Sequence, residues 1–460
     1  MLSEFYGAVL NRQECTPLHT QIERRIKYRI TNGDLYPGLY LGTLRDLAKN
    51  FHVNRNTVIK AVENLMMEGY LFTRKHVGVF IAEQKKETEL VDDDPGHEEA
   101  FLHSAVGMRH EHHFALMYKR VSEVLQMPYA SETGDAADYT YLRMRQGLTN
   151  MLNLDLGLSF RYRNVCYILD HGKFFLLLGL ILQKAPGCFI MENPGNNKVA
   201  TVIQETGMEV LSVGVCKQGI DLNELENVCK TRPVSAVYLN TRCQFPTTIT
   251  LPEQAGKDLV DLSEKYGFYI VEADYVHEFW YGSKPYPLLA GRYPDARIIY
   301  FAPYSRTLDY LESIGVVAGA PTFMDEFIRR WRNMRLHHIH TFEKTVEEML
   351  FNRRFHRLSI STRTELQKKR DYFAGCLLRN HNDNLHFNVP QAGLAFWLQF
   401  APQVPLDRLF DVLHEKGYPP VSPSLYCLDQ QHFHGIRVGF TTLEKPVLER
   451  LARIICHAVE

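Results

Sequence analysis

The sequence predicts an α/β chain in three parts. A small helical unit with a β-hairpin comes first, then a large α/β domain with a mostly parallel sheet, then a small α+β domain. Three observations carry this. Val58, Ala61, Val62 and Leu65 recur at helical spacing behind Asn54, and the β-branched run from Arg74 to Ile81 follows. From about Tyr139 to Phe301, apolar strand-like runs alternate with helical stretches, as in a sheet whose strands are joined by crossover helices. Beyond Phe387, two strand candidates and one amphipathic helix end the chain. A length of 460 residues is too great for one ordinary core, and 45% hydrophobic with 23% charged residues is a globular balance.

In chain order, Pro17 to Ile22 with Ile26 and Ile30 begins a helix that ends at Asn32–Gly38. Leu44 to Phe51 is a short helix and His52-Val53 a turn. Asn54 is placed to cap the next helix, its side-chain oxygen accepting a free N–H of the first turn. That helix buries its apolar face and leaves Arg55, Asn56, Thr57 and Lys60 at its start or on its other side. Residues so placed reach base edges in a major groove: Arg spans two acceptors of guanine, Asn does the same for adenine, and Thr reaches base or phosphate. Charge agrees, because residues 1–82 hold 11 Lys and Arg against 7 Asp and Glu while the whole chain is at −1.

Thr16 to Ala82 resembles the GntR-type winged helix-turn-helix. The matching residues are Pro17-Leu18, Gln21-Ile22, the Gly33-x-Leu35-x-Pro37-Gly38 loop, Leu44-Arg45-x-Leu47-Ala48, Val53-Asn54-Arg55-Asn56-Thr57-Val58 and Glu68-Gly69-Tyr70-Leu71. The resemblance implies a double-stranded DNA operator as partner. It implies DNA contacts from Arg45, Asn54, Arg55, Asn56, Thr57, Lys60 and Lys75. The unit is expected over 1–82, with a polar, acidic linker at 83–105.

Next come strands at Val165–Leu169, Cys188–Glu192, Leu211–Val215, Ala236–Leu239, Tyr269–Glu272 and Arg297–Phe301, with helices at Lys173–Gln183, Val199–Thr206 and Glu253–Tyr266. A helix-rich stretch from Phe323 to Arg379 ends the large domain, expected over 106–380. The small domain, 381–460, has strands at Gly393–Phe400 and Ile436–Phe440 and a helix at Glu444–Val459. Two His-rich stretches, Arg109–His113 and Leu336–His340, lack a second cluster at ligand spacing, so no metal site is predicted. Nine scattered cysteines with no C-x-x-C pair indicate neither a zinc ribbon nor a disulfide scaffold. The amino terminus lacks a signal-peptide pattern, and the apolar run Phe174–Leu182 is too short to span a bilayer. A cytoplasmic protein with reduced thiols and no membrane partner is expected.

The large and small domains together resemble the fold-type-I aminotransferases, and the two-part chain resembles the MocR subgroup of GntR regulators. The residues are Glu192-Asn193-Pro194-Gly195, Gln244-Phe245-Pro246-Thr247, Glu272 to Tyr281, Ser305-Arg306-Thr307-Leu308 and Arg437-Val438-Gly439-Phe440. The resemblance implies a pyridoxal 5'-phosphate pocket and a homodimer. Its departures imply that the pocket is degenerate. Arg306 stands where the family has the imine-forming Lys, and a guanidinium stays protonated and cannot take that role. Ala273 stands at the pyridine carboxylate and Ser313 at the phosphate Arg. Asp170-His171-Gly172-Lys173-Phe174 replaces the phosphate turn, and Thr248 replaces a Gly. Tyr275 is kept. No cofactor is expected. Arg306 and Arg437 are expected to bind a small carboxylate effector from one cavity, unless Glu272, Asp274 or Asp170 neutralises them. The main reading is a transcription regulator with a non-enzymatic aminotransferase-like domain. The alternatives are an active pyridoxal-phosphate aminotransferase with a DNA-binding appendage, and a dimerisation module with a packed-over pocket.

Overall fold

The computed structural model describes residues 17–31, 35, 38–67, 70–74, 77–82, 134–169, 171–184, 186–303, 314–334, 354–380, 382–418, 420, 423–429 and 433–459. The chain divides into two compact units, Met1–Pro95 and Gly96–Glu460. The expected linker, both His-rich stretches, and Lys75, Asp170, Arg306 and Ser313 lie outside the described residues.

The first unit runs α1 (Leu18–Thr31), β1 (Tyr40–Gly42), α2 (Leu44–Asn50), α3 (Arg55–Met67), β2 (Leu71–Arg74) and β3 (Gly78–Ile81). Its core gathers Ile22 and Ile26 of α1, Leu47 of α2, Val58, Ala61, Val62 and Leu65 of α3, and Val79 and Ile81 of β3. The periodic face read from the sequence is thus the buried face. Thr43 and Asp46 start α2 with a reciprocal cap: Thr43 Oγ1 accepts from the Asp46 N–H at 3.2 Å, and the Asp46 carboxylate accepts from the Thr43 N–H at 3.0 Å. The small sheet is antiparallel in the order β1-β3-β2. Gly78, at φ +145°, is required there, since a Cβ would lie 2.7 Å from the Gly42 carbonyl oxygen. The three-residue β1 gives too short a run for periodicity to mark it.

The second unit begins with α4 (Gly134–Leu156), β4 (Val165–Leu169), α5 (His171–Leu182), β5 (Cys188–Asn193), α6 (Asn197–Glu205), β6 (Val210–Cys216), β7 (Gly219–Ile220) and α7 (Leu222–Thr231). Then follow β8 (Val234–Leu239), α8 (Glu253–Tyr266), β9 (Tyr269–Ala273), α9 (Leu289–Arg292), β10 (Ile298–Pro303), β11 (Ile314–Gly319) and α10 (Pro321–Asn333). Eight strands form one sheet in the order β4-β11-β10-β9-β8-β5-β6-β7. β10, β9, β8, β5 and β6 run parallel, while β11 is antiparallel to both β10 and β4. Every residue of β5, β10 and β11 is buried, and β10 and the first four residues of β5 read as continuous apolar runs rather than alternations. Helix α7 went unpredicted from its sequence; Asp221 caps it, accepting from the Asn223 and Glu224 N–H groups.

A second core is built by α11 (Arg354–Arg379), β12 (Leu385–Phe387), β13 (Ala395–Phe400), α12 (Leu406–Glu415), β14 (Gly435–Gly439) and α13 (Lys445–Ala458). Leu366, Phe373 and Leu377 of α11 belong to it, so this core starts upstream of residue 381. Phe279 and Tyr281, from the segment after β9, also enter it. That segment ties the large sheet to the small one beside the carboxyl ends of the parallel strands, where such sheets bind ligands.

Candidate functional site

In the first unit, the Asn54 side chain accepts from the Asn56 N–H at 2.9 Å and so starts α3 as a cap. Its oxygen is committed to the helix, which leaves only its amide N–H groups for a partner. Arg45, Arg55, Asn56 and Lys60 are exposed and Thr57 half-buried. The Asn64 amide donates to Glu23 of α1 at 2.7 Å and fixes α3 against α1. A rigid helix thus presents a cationic, amide-bearing amino end.

In the second unit, a cavity of about 80 Å³ lies beside the loops that follow β8 and β9. Tyr238 and Asn240 reach it from β8 and its end, Tyr275 and Val276 from the end of β9, and Arg437 from β14. Cys243, Gln244, Phe245 and Thr248 line it from the β8 loop. The Arg437 guanidinium sits 5.3 Å from the centre of the Phe245 ring, and Arg437 is 7% exposed. The Phe245 ring meets Tyr426 edge-on at 5.5 Å, and Tyr426 meets Trp397, the cross-strand neighbour of Arg437. The Phe245 ring therefore covers one side of the guanidinium, and Tyr426 backs that ring.

The β8 loop is over-determined by Gln244. Its amide donates to the Pro194 and Phe245 carbonyls at 2.7 Å each and accepts from the Thr247 N–H at 3.0 Å. Thr248 stands at φ +60°, a left-handed conformation that a β-branched residue adopts only under constraint.

Two acids named from sequence as partners for the cavity's cations are engaged elsewhere. Asp274 accepts from Arg242 Nε at 3.1 Å and Nη2 at 2.9 Å, and from the Tyr300 hydroxyl at 3.1 Å, all buried. Glu272 accepts from the Leu289 and Ala290 N–H groups at 2.9 Å each and from the Thr241 hydroxyl at 2.8 Å. Burial still pushes the Glu272 carboxyl up to about 7. Ala273 is buried at the end of β9, its carbonyl accepting from Asn240 Nδ2 at 3.0 Å, and it does not line the cavity. Tyr275 does, packed edge-on against His171 and Phe301. Lys173 is exposed and does not line the cavity. Sequence reasoning missed Tyr238, Asn240 and Cys243, which look like ordinary core or loop residues until the topology brings them together.

Residues 18–81 match the family model of bacterial regulatory proteins, gntR family. The uncharacterized HTH-type transcriptional regulator YisV of Bacillus subtilis is 21% identical over 94% of this chain and 93% of its own length. The probable rhizopine catabolism regulatory protein MocR of Rhizobium meliloti is 22% identical over 70% of this chain and 69% of its own. Among solved structures, the alpha-aminoadipate aminotransferase LysN of Thermus thermophilus superposes with a TM-score of 0.64 at 18% identity, over 75% of this chain and 88% of that one. That likeness is one of fold. A winged helix-turn-helix joined to an aminotransferase-like unit defines a class of DNA-binding transcriptional regulator. Residues 18–81 are a GntR-type DNA-binding unit, and the chain as a whole is similar to HTH-type transcriptional regulators, MocR and YisV among them.

Proposed function

We propose that the aminotransferase-like unit of this regulator is a sensor of a small carboxylate and not an enzyme. The observation that carries this reading is Arg437, held by Phe245 at a cavity whose described lining contains no lysine and no acid. A carboxylate forms bidentate, charge-assisted bonds with such a guanidinium. Arg306, where the sequence resemblance puts the imine lysine, adds no nucleophile.

The residues present do not suit pyridoxal phosphate. Ala273 offers its ring nitrogen no carboxylate, and Asp274 is held by Arg242. We therefore assign no catalytic residue and no cofactor. The regulator acts as a homodimer in the cytoplasm, with residues 1–82 on DNA, a linker at 83–105, and the sensor beyond it. Arg45, Asn54, Arg55, Asn56, Thr57, Lys60 and Lys75 make the DNA contacts. No described helix is long and apolar enough to cross a membrane.

Intact-mass measurement after incubation with pyridoxal phosphate and borohydride tests the sensor reading. The mass of the purified chain is expected to stay unchanged. A gain of one reduced cofactor per chain, mapped to a lysine of the second unit's cleft, would sink it.

A further inference from the structure

We infer that the second unit carries a DNA-binding face of its own, an arginine ridge along α10 that holds the phosphate backbone of duplex DNA without reading its sequence. Beyond residue 82 the chain is net acidic, since the whole is at −1 while residues 1–82 hold 11 Lys and Arg against 7 Asp and Glu. Positive charge gathers on this helix all the same. Arg329 and Arg332 are exposed and three residues apart, which puts them on one face of α10, and Arg330 beside them is half-buried. The turn Tyr162–Asn164 packs beside α10 and adds the exposed Arg163, with the exposed Arg161 just before it.

The acids of α10, Asp325 and Glu326, do not balance these cations. Glu326 is shared by Arg330 at 2.7 Å, Lys184 at 2.8 Å and Arg329 at 2.6 Å, and these three hold its carboxyl down at about 2. One carboxylate neutralises one of the three. Asp325 lies within electrostatic reach of Arg163. Arg332 stands on an aromatic ring instead, 5.1 Å from the centre of Tyr141.

The ridge is held in shape from beneath. Tyr141 of α4 stacks on Trp331 at 5.2 Å, and the buried Arg145 lies 5.1 Å from the centre of the same Tyr141 ring. Arg145 donates to the Val165 carbonyl at 2.6 Å and to the Arg163 carbonyl at 2.9 Å, which fixes the turn against α4. Tyr162 is exposed between Arg163 and Arg145, each 5.9 Å from its ring centre. The hydrogen bond and charge of Arg163, with the charge of Arg145, hold that phenol below its ordinary value.

Fixed guanidiniums suit phosphate, whose oxygens they meet two at a time, and an exposed tyrosine hydroxyl donates to the same backbone. Duplex DNA is the polyanion that a chain with a GntR-type unit meets. Phosphates carry charge and no sequence, so the ridge adds affinity and salt dependence and leaves base preference unchanged.

The test gives the full-length protein two duplexes, its mapped operator cut at the half-sites and the same operator extended on both sides with unrelated sequence. Wild type is expected to bind the extended duplex about tenfold or more tightly, with a steeper fall in affinity as salt rises. The triple variant Arg163→Ala, Arg329→Ala, Arg332→Ala is expected to lose that gain and to lower the log–log salt slope on the extended duplex by about 2–3. Its binding of the short duplex, unchanged, shows that it is folded. If the triple variant does not fold, Arg161→Glu with Arg163→Glu, both off the helix, takes its place with the same expected loss. Equal wild-type affinity for the two duplexes, or a gain that the variants keep, overturns the inference. Ridge-dependent binding of polyglutamate by a wild type indifferent to flanking DNA overturns it too and assigns the face to an acidic protein.

Discussion

Glu192, next to last in β5, is buried, with the Asn240 N–H at 3.2 Å and the Gln244 side chain as its hydrogen-bonding neighbours. Burial pushes its carboxyl from an ordinary 4.5 up to about 8, because the charged form loses more solvation than Asn240 and Gln244 together restore. The folded protein therefore holds a proton that the unfolded chain releases near 4.5. Between those two values the folded state binds more protons, so this group's contribution to stability is full below about 4.5, falls as pH rises, and levels off above about 8. The urea midpoint of the wild type is expected to decline over that window. Glu192→Gln keeps the shape and removes the titration, so its decline should be shallower. Equal slopes in the two proteins would assign the effect to other groups, Glu272 first.

At the scale of elements, the segments after β8 and β9 are locked together by the Arg242–Asp274 pair, both partners at most 4% exposed. The guanidinium also lies 5.4 Å from the Tyr286 ring and 5.9 Å from the Trp280 ring. Removing one member of a buried pair leaves the other charge stranded, which costs about 3–5 kcal/mol. Arg242→Ala should lose that much in denaturant unfolding; a loss below about 1 kcal/mol would mean that water reaches Asp274. This lock was not legible in the sequence. In the sequence Asp274 stands as a candidate partner of Arg306 or Arg437, and Arg242 belongs to no quoted motif. The parallel strands were legible because burial on both faces makes unbroken apolar runs. β11 was not, since Gly315 and Gly319 interrupt its run and its antiparallel direction has no local signal. The cavity was legible through Arg437 and Tyr275, each inside a quoted motif. Tyr238 and Phe245 were not assigned to it, because the contacts that give them a role come from strands distant in sequence.

For the whole molecule, the question is how a unit exposing Arg45, Arg55, Asn56 and Lys60 obtains specificity. One recognition helix reads a few base pairs, too few to stand out from the rest of a genome. Joining two such units through a homodimer makes the second contact intramolecular, and linked modules of this kind gain about 10²–10⁴ in affinity. The full-length protein on its mapped operator is therefore expected to bind as two chains per duplex, with two half-sites. Scrambling one half-site should lower affinity about 100-fold or more. Arg55→Ala should cost about 1–3 kcal/mol on the native operator and much less on one altered at the base it reads. Lys60→Ala, if that lysine meets phosphate, should weaken all duplexes alike and lessen the salt dependence. One chain per duplex, or no loss when a half-site is scrambled, would remove the dimer from the account. Unchanged affinity and base preference in Arg55→Ala would remove that arginine from the readout and move specificity along the helix to Asn56 and Thr57.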